Sequence, residues 1–298
     1  MNWLLKYPQA FLAAGVTLWL AGALALTAWW VLRPSLVQPQ ARASLPAEGF
    51  DHGPWAELLA RFRLPSGELD YGAWAADSKA LEALEQVLAN LAATSPEREP
   101  KRFPGDARLA YWLNAYNACV VAGVLRRWPL ESVKEVGVPL LGTRVGAGAG
   151  FFVRQRFLLG GRSLSLHSLE QDLIRVRFPE ERVHFVLNCA SRSCPPLGDP
   201  PRSETLEATL SAAQADFLGD PETVQVDAKA RVLRVNAILT WYRADFLAAL
   251  ARLGIPAEER SLARYLREAL PARRAELEAA EDYRVEALPY DWSVNGPR

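Results

Sequence analysis

The sequence predicts an α+β fold: a single, mainly helical domain with a small sheet and β-hairpins, preceded by one transmembrane helix. Three observations predict it. Apolar residues recur at helical spacing in several separate segments, as a helix packed on one face requires. Two pairs of short, alternating, β-branched or aromatic segments are each joined by a turn-forming sequence. One run, Phe11 to Leu32, holds 22 residues without a charge, long enough to span about 30 Å of hydrocarbon as a helix.

In chain order, residues 1–10 form a short tail and 11–32 the membrane span, with Trp3, Tyr7, Trp29 and Trp30 placed as interfacial aromatics. The span is longer than the apolar region of a cleaved signal, about 7–15 residues, although Ala25 to Ala28 resembles a cleavage site. Residues 33–54 contain Pro34, Pro39, Pro46 and Pro54 with little apolar periodicity, and read as a linker. Residues 55–298 read as the globular domain. Helices are expected over Trp55 to Phe62 and Ser78 to Leu91, and from a cap at Asp106 to near Trp128. Leu109, Trp112, Leu113, Tyr116, Val120 and Val124 form the stripe of the last, with Asn114 and Asn117 at its edge.

Phe151 to Leu166 reads as a hairpin, with Gly160-Gly161 supplying the positive-φ turn. Ser165 is placed to cap a helix reaching Arg177. Val183 to Asn188 alternates as a strand, with His184, Val186 and Asn188 on one face. A helix over Ser203 to Leu218 and a hairpin of Val224 to Val226 with Val232 to Val235 follow. Two more helices are expected near Ile238 to Leu253 and Ser261 to Leu270.

Composition excludes several functions. Lys+Arg and Asp+Glu balance at 34 each, without the basic excess of a nucleic-acid binder. No phosphate-cradling Gly-rich loop occurs. Three histidines without a His-Glu-x-x-His motif, and two nearby thiols alone, do not complete a metal set, so neither metal nor cofactor is expected.

The chemistry gathers in His184-Phe-Val-Leu-Asn-Cys-Ala-Ser-Arg-Ser-Cys-Pro-Pro196. Cys189 and Cys194 enclose four residues. They could be a disulfide, reactive thiols activated by imidazole or backbone amides, or inert core thiols. A loop this small gains about 2 kcal/mol or less from cross-linking. His184 is either a general base or a strand histidine bonded within the sheet. Extended geometry keeps it roughly 15 Å from Cys189 unless the loop folds back. Glu170 projects toward the apolar side of its helix, where a carboxylate must meet a donor, take a proton or line a cavity. Asn114 and Asn117 satisfy loop backbone or hold a ligand; Cys119 is core, and His167 is exposed.

Tyr111-Trp-Leu-Asn-Ala-Tyr-Asn-Ala118, the His184–Ser191 run with Cys194-Pro-Pro-Leu197, Ser165-Leu166 with Leu169-Glu170, Trp241-Tyr-Arg-Ala-Asp-Phe246 and Tyr290-Asp-Trp-Ser293 with Asn295 resemble motifs of the domain of unknown function 547 family. The resemblance spans nearly all of Trp55 to Asn295. It carries no established activity. Other members accompany a glutaredoxin-like domain, which implies thiol chemistry, and members with an N-terminal export or anchor segment are common in bacteria. Gln171 stands where many members carry His or Asn, so a mechanism needing imidazole there does not transfer.

The resulting expectation is a membrane-anchored thiol-dependent hydrolase or acyl transferase. Cys189 or Cys194 is the candidate nucleophile, His184 the base or orienter and Glu170 its electrostatic partner. Asn114, Asn117, Asn188 and Ser191 are binding candidates. The alternatives are a non-catalytic envelope binding or structural module with a structural cysteine pair, and a thiol redox protein. The expected partner is membrane lipid through the N-terminal helix, with no nucleic acid, and the domain is placed outside the cytoplasm at a bacterial inner membrane.

Overall fold

The computed structural model describes residues 34–46, 49–140 and 143–297. The predicted span 11–32 and tail 1–10 lie outside them. Among the described residues no helix is long and apolar enough to cross a membrane.

The chain forms β1 (Ser35–Val37), α1 (Gly53–Phe62), α2 (Tyr71–Ala76), α3 (Ser78–Ala93) and α4 (Asp106–Leu125). Next come the hairpins β2 (Val138–Leu140)–β3 (Thr143–Val145) and β4 (Gln155–Leu159)–β5 (Arg162–Ser165). A helical run, α5 (166–177), follows, with a π-helical centre at Leu169–Ile174. After a long loop come α6 (Leu206–Gly219), β6 (Val224–Asp227), β7 (Val232–Val235), α7 (Ala237–Trp241), α8 (Arg243–Arg252), α9 (Leu262–Ala269), α10 (Arg274–Ala279) and β8 (Arg284–Ala287). Strand β1 pairs in parallel with β4, and β8 in parallel with β7. The α+β class is as expected, with the strands divided among separate small sheets.

Local signals explain many boundaries. Gly160 and Gly161 take φ of 56° and 71° at the β4–β5 turn, where side chains are disfavoured. Ser165 accepts from Ser168 N–H while the Ser168 hydroxyl accepts from Ser165 N–H, a reciprocal cap that starts α5. Ser261 caps α9 through Arg264 N–H. The predicted helix from Ile238 to Leu253 is divided at Tyr242 into α7 and α8.

Other expectations change. Asp106 lies in the first turn of α4, and Gly105 takes the cap position with no side-chain bond. Every residue from Leu109 to Val124 is buried, so α4 is a central helix rather than a one-sided stripe. Residues 150–154 form a π turn instead of extending the first hairpin. Part of the segment read as a linker joins the fold. Val37 is buried in β1, Ser44 N–H donates to Asn90 Oδ1, and Arg102 donates to Pro46 and Gly49 carbonyls. These fixed partners satisfy backbone that a free tether would leave to water.

The predicted strand over Val183 to Asn188 is absent. Glu181–Phe185 is a 3-10 turn. Asn117, from α4, donates through Nδ2 to Val186 O (3.0 Å) and accepts through Oδ1 from Asn188 N–H (3.0 Å). One buried side-chain amide supplies the partners that a neighbouring strand would have supplied. Two apolar cores flank this loop. Val186, Leu187, Ala190 and Leu197 belong to the core around α4, while Phe185 and Cys194 belong to the core of α6 to α10.

Candidate thiol site

Folding back of the loop brings the two sulfurs together. Cys189 and Cys194 are free thiols with sulfurs 2.8 Å apart. The turn between them is built locally: Asn188 Oδ1 accepts from Ala190 N–H at 2.7 Å, and Asn188 Nδ2 donates to Pro195 O at 2.6 Å. Ala190 sits at φ 62°, a left-handed conformation unusual for a side chain with Cβ. Surrounding bonds over-determine it. The C-terminal segment straps the turn, with Asn295 N–H donating to Ala190 O, Arg192 N–H to Ser293 O and Asn295 Nδ2 to Asn188 Oδ1.

Cys189 is half-buried and Cys194 is buried. The Ser191 and Tyr290 hydroxyls lie 3.0 and 3.3 Å from Cys189 Sγ, and 2.9 Å from each other. Burial opposes the thiolate. Hydrogen bonds from Cys194, Ser191 and Tyr290, with the Ser191 amide, overcome that and bring Cys189 down to about 7. Burial and the neighbouring Cys189 charge push Cys194 well up. Cys189 is therefore the sulfur prepared to ionise, and Cys194 the one that keeps its proton.

Cys189, Cys194, Glu170 and His184 line one cavity of about 250 Å³. Tyr242 donates to Glu170 Oε1 at 2.5 Å and Tyr116 to Oε2 at 3.3 Å, so the carboxylate predicted to face apolar surroundings meets phenol donors. Burial first, and the Glu170 charge second, push both phenols upward. His167 is exposed as expected, but also lines this cavity.

His184 is not bonded to sulfur. Its Nε2 lies 2.7 Å from Asp245 Oδ2, and its ring stacks on Tyr242 with centroids 3.8 Å apart. Arg175 clamps the same carboxylate in two places, at 2.7 and 2.8 Å. Burial disfavours the Asp245 charge, but His184 and Arg175 hold the carboxyl well below its ordinary range. Glu170 is thus not the direct partner of His184; Asp245 is, and sequence spacing alone did not single it out. The missed groups, Tyr242, Asp245 and Tyr290, all stood within motifs that carried the family resemblance.

Residues 100–218 match the DUF547 family, described as a protein of unknown function. The matched segment holds Asn114, Asn117, Glu170, His184 and both sulfurs. Tyr242, Asp245 and Tyr290, which complete the site described above, lie beyond it. The match is narrower than the motif resemblance over Trp55 to Asn295. No curated protein and no solved structure matches the chain.

The remaining sequence candidates fall in two groups. Ser191 touches the sulfur, and Asn188 shapes the turn. Asn117 is a loop-holding amide rather than a lining group of the thiol cavity. Asn114 donates to Pro201 O at 2.8 Å and lies 3.0 Å from His52 Nδ1. Burial and the nearby Arg202 charge bring His52 down to about 4, so its ring is neutral near pH 7. Cys119 is fully buried, and burial pushes its thiol above the ordinary range. Among the described residues no His, Cys, Asp and Glu group is arranged to hold a metal ion.

Proposed function

We propose that Cys189 is a nucleophile and that dithiol–disulfide exchange with Cys194 is its reaction. The observation that carries this reading is the contact between an ionisable sulfur facing a cavity and a protonated, buried second sulfur 2.8 Å away. The Cys189 thiolate attacks a substrate disulfide, forming a mixed disulfide and releasing one substrate thiolate. Cys194 then attacks the Cys189 sulfur, and its proton passes to the second departing thiolate. The substrate disulfide is reduced and the protein dithiol oxidised. A second dithiol on the same side of the membrane, itself oxidised to a disulfide by two successive exchanges, restores the starting state.

Hydrolysis or acyl transfer at Cys189 is the second reading. The Glu170–Tyr242–Tyr116 cluster and His184–Asp245 favour it, because exchange does not require acid–base groups of this kind in the same cavity. Against it, His184 Nε2 is engaged by the Asp245 carboxylate, and His184 makes no hydrogen bond to either sulfur. Convergence on one cavity supports either catalytic reading over a structural module, whose polar groups would be dispersed through a closed core. The uncharged run 11–32 supports membrane attachment, and the ten residues before it favour a short cytoplasmic tail with the domain outside.

The test is turnover of a small aromatic disulfide and of an activated ester by the full chain, its Cys194→Ser variant and its Cys189→Ser variant. Exchange predicts that Cys194→Ser stalls as a mixed disulfide on Cys189 and that neither variant turns over disulfide. Retained ester turnover in Cys194→Ser, lost in Cys189→Ser, would select the hydrolytic reading.

A further inference from the structure

An open cleft of about 700 Å³ lies where the segment before α1, the start of α4 and the Arg202–Glu204 loop meet. Neither sulfur lines it, and its volume is in the range of small-molecule sites. A buried donor and a charge imbalance say what would fill it.

The donor is His52, which is 7% exposed and lines the cleft. Its ring packs on Phe50 with centroids 5.0 Å apart. Pro201 can only accept, so the Asn114 amide is oriented by its 2.8 Å bond from Nδ2 to Pro201 O. The second Nδ2 hydrogen then goes to His52 Nδ1, 3.0 Å away. With Nδ1 accepting, the neutral ring carries its proton on Nε2. Burial first, and the Arg202 charge second, keep the ring neutral. Nε2 has no hydrogen-bond partner among the described residues, and unlike Asn114 Oδ1 it is not sealed from solvent. Its N–H is therefore a fixed donor on the wall of the cleft, made for an acceptor that the protein does not supply.

The charge is positive. Lys101, Arg102 and Arg202 line the cleft against one carboxylate, Glu204. Arg102 is committed to Glu99 at 2.9 Å and to the Pro46 and Gly49 carbonyls. Glu204 accepts from the Ser203 hydroxyl at 2.6 Å. Asp51, beside His52 but not on the wall, accepts from Gly53 N–H at 2.8 Å. Lys101 and Arg202 make no ion pair with the described residues, and Glu204 offsets only one of them. One uncompensated positive charge on the wall matches a monoanion.

We propose that this cleft binds a small organic monocarboxylate. His52 Nε2–H and the Arg202 guanidinium hold the carboxylate, whose planar oxygens suit a guanidinium fork. Phe50 and Pro104 lie beside its apolar body, and Lys101 adds attraction at the mouth. Asn114 acts through His52, by fixing which ring nitrogen donates. The site does not depend on the chemistry at Cys189.

Benzoate is the probe. Full-length protein carrying 15N-labelled histidine is titrated with it in mild detergent, and the three histidine rings are read separately by NMR. Before benzoate is added, His52 should show a protonated Nε2 and a bare Nδ1. Benzoate should shift the His52 ring saturably and leave His167 and His184 unmoved. Benzamide, the neutral isostere, should bind more weakly, and benzylamine, a cation, should not bind. Calorimetry of the variants gives the affinities. His52→Phe keeps a ring in place and deletes the donor, and should weaken benzoate roughly ten-fold or more. Arg202→Gln changes an exposed side chain, leaves the fold intact by circular dichroism, and should weaken it roughly five-fold. A protonated Nδ1 on His52, absence of saturable benzoate binding, a shift at His167 or His184 in place of His52, benzamide binding as tightly as benzoate, or unchanged affinity in folded Arg202→Gln would each overturn the proposal.

Discussion

Cys189 owes its acidity to donors drawn from distant parts of the chain. Cys194 and Ser191 come from its own loop, while Tyr290 arrives from 101 residues further on. A half-buried thiol without them would titrate above an ordinary cysteine, at about 8.5 or higher. The rate of iodoacetamide alkylation at Cys189 should therefore rise through an inflection near pH 7. Tyr290→Phe removes one donor to the charged form and should raise that inflection by about one pKa unit, slowing alkylation at neutral pH but not at high pH. A wild-type inflection near that of a free thiol would show that the hydroxyls do not act on the sulfur. The pair itself was legible in sequence as two close cysteines. Which sulfur ionises was not, because Tyr290 and the fold-back around Asn188 are tertiary features.

At the scale of elements, α4 organises the thiol site and the loops beside it. It offers Tyr116 to Glu170 at the thiol site, Asn117 to the cysteine loop and Asn114 to the Pro201 carbonyl. Its placement depends on burial all around. Trp112 is fully buried and donates through Nε1 to Glu97 at 2.9 Å. Trp112→Ala should cost about 3–5 kcal/mol, measured as a shift in the urea midpoint at constant slope. A loss below about 1 kcal/mol would mean that the helix does not anchor the core. The helical spacing around Trp112 was readable from the sequence. The rest of the buried face, carrying Ala110 and Ala118, was not, since small residues do not announce which partners surround them.

For the whole molecule, the cysteine loop lies at the seam of two cores, so both must pack before the site exists. The strap of residues 291–295 is bonded to it through Arg192, Ser193 and Ala190. Membrane attachment is tested separately. The apolar run 11–32 should keep the intact protein with membranes after a carbonate wash. A mature protein beginning near Trp29 would instead show that the run is a removed signal.

The sequence by itself determined what short-range physics determines. Gly160-Gly161 set a turn through φ, Ser165 and Ser261 set helix starts through capping, and amphipathic spacing located α1, α3 and α9. It also placed two thiols within one loop. Only the tertiary structure decided how that loop runs. The alternation from Val183 to Asn188 satisfies a strand pattern, yet among the described residues no strand pairs with it. Asn117 takes its backbone bonds, Asp245 takes His184 from 61 residues away, and the loop turns back to join the sulfurs. Periodicity reports which faces can be buried. It cannot report which distant amide or carboxylate will arrive to satisfy them.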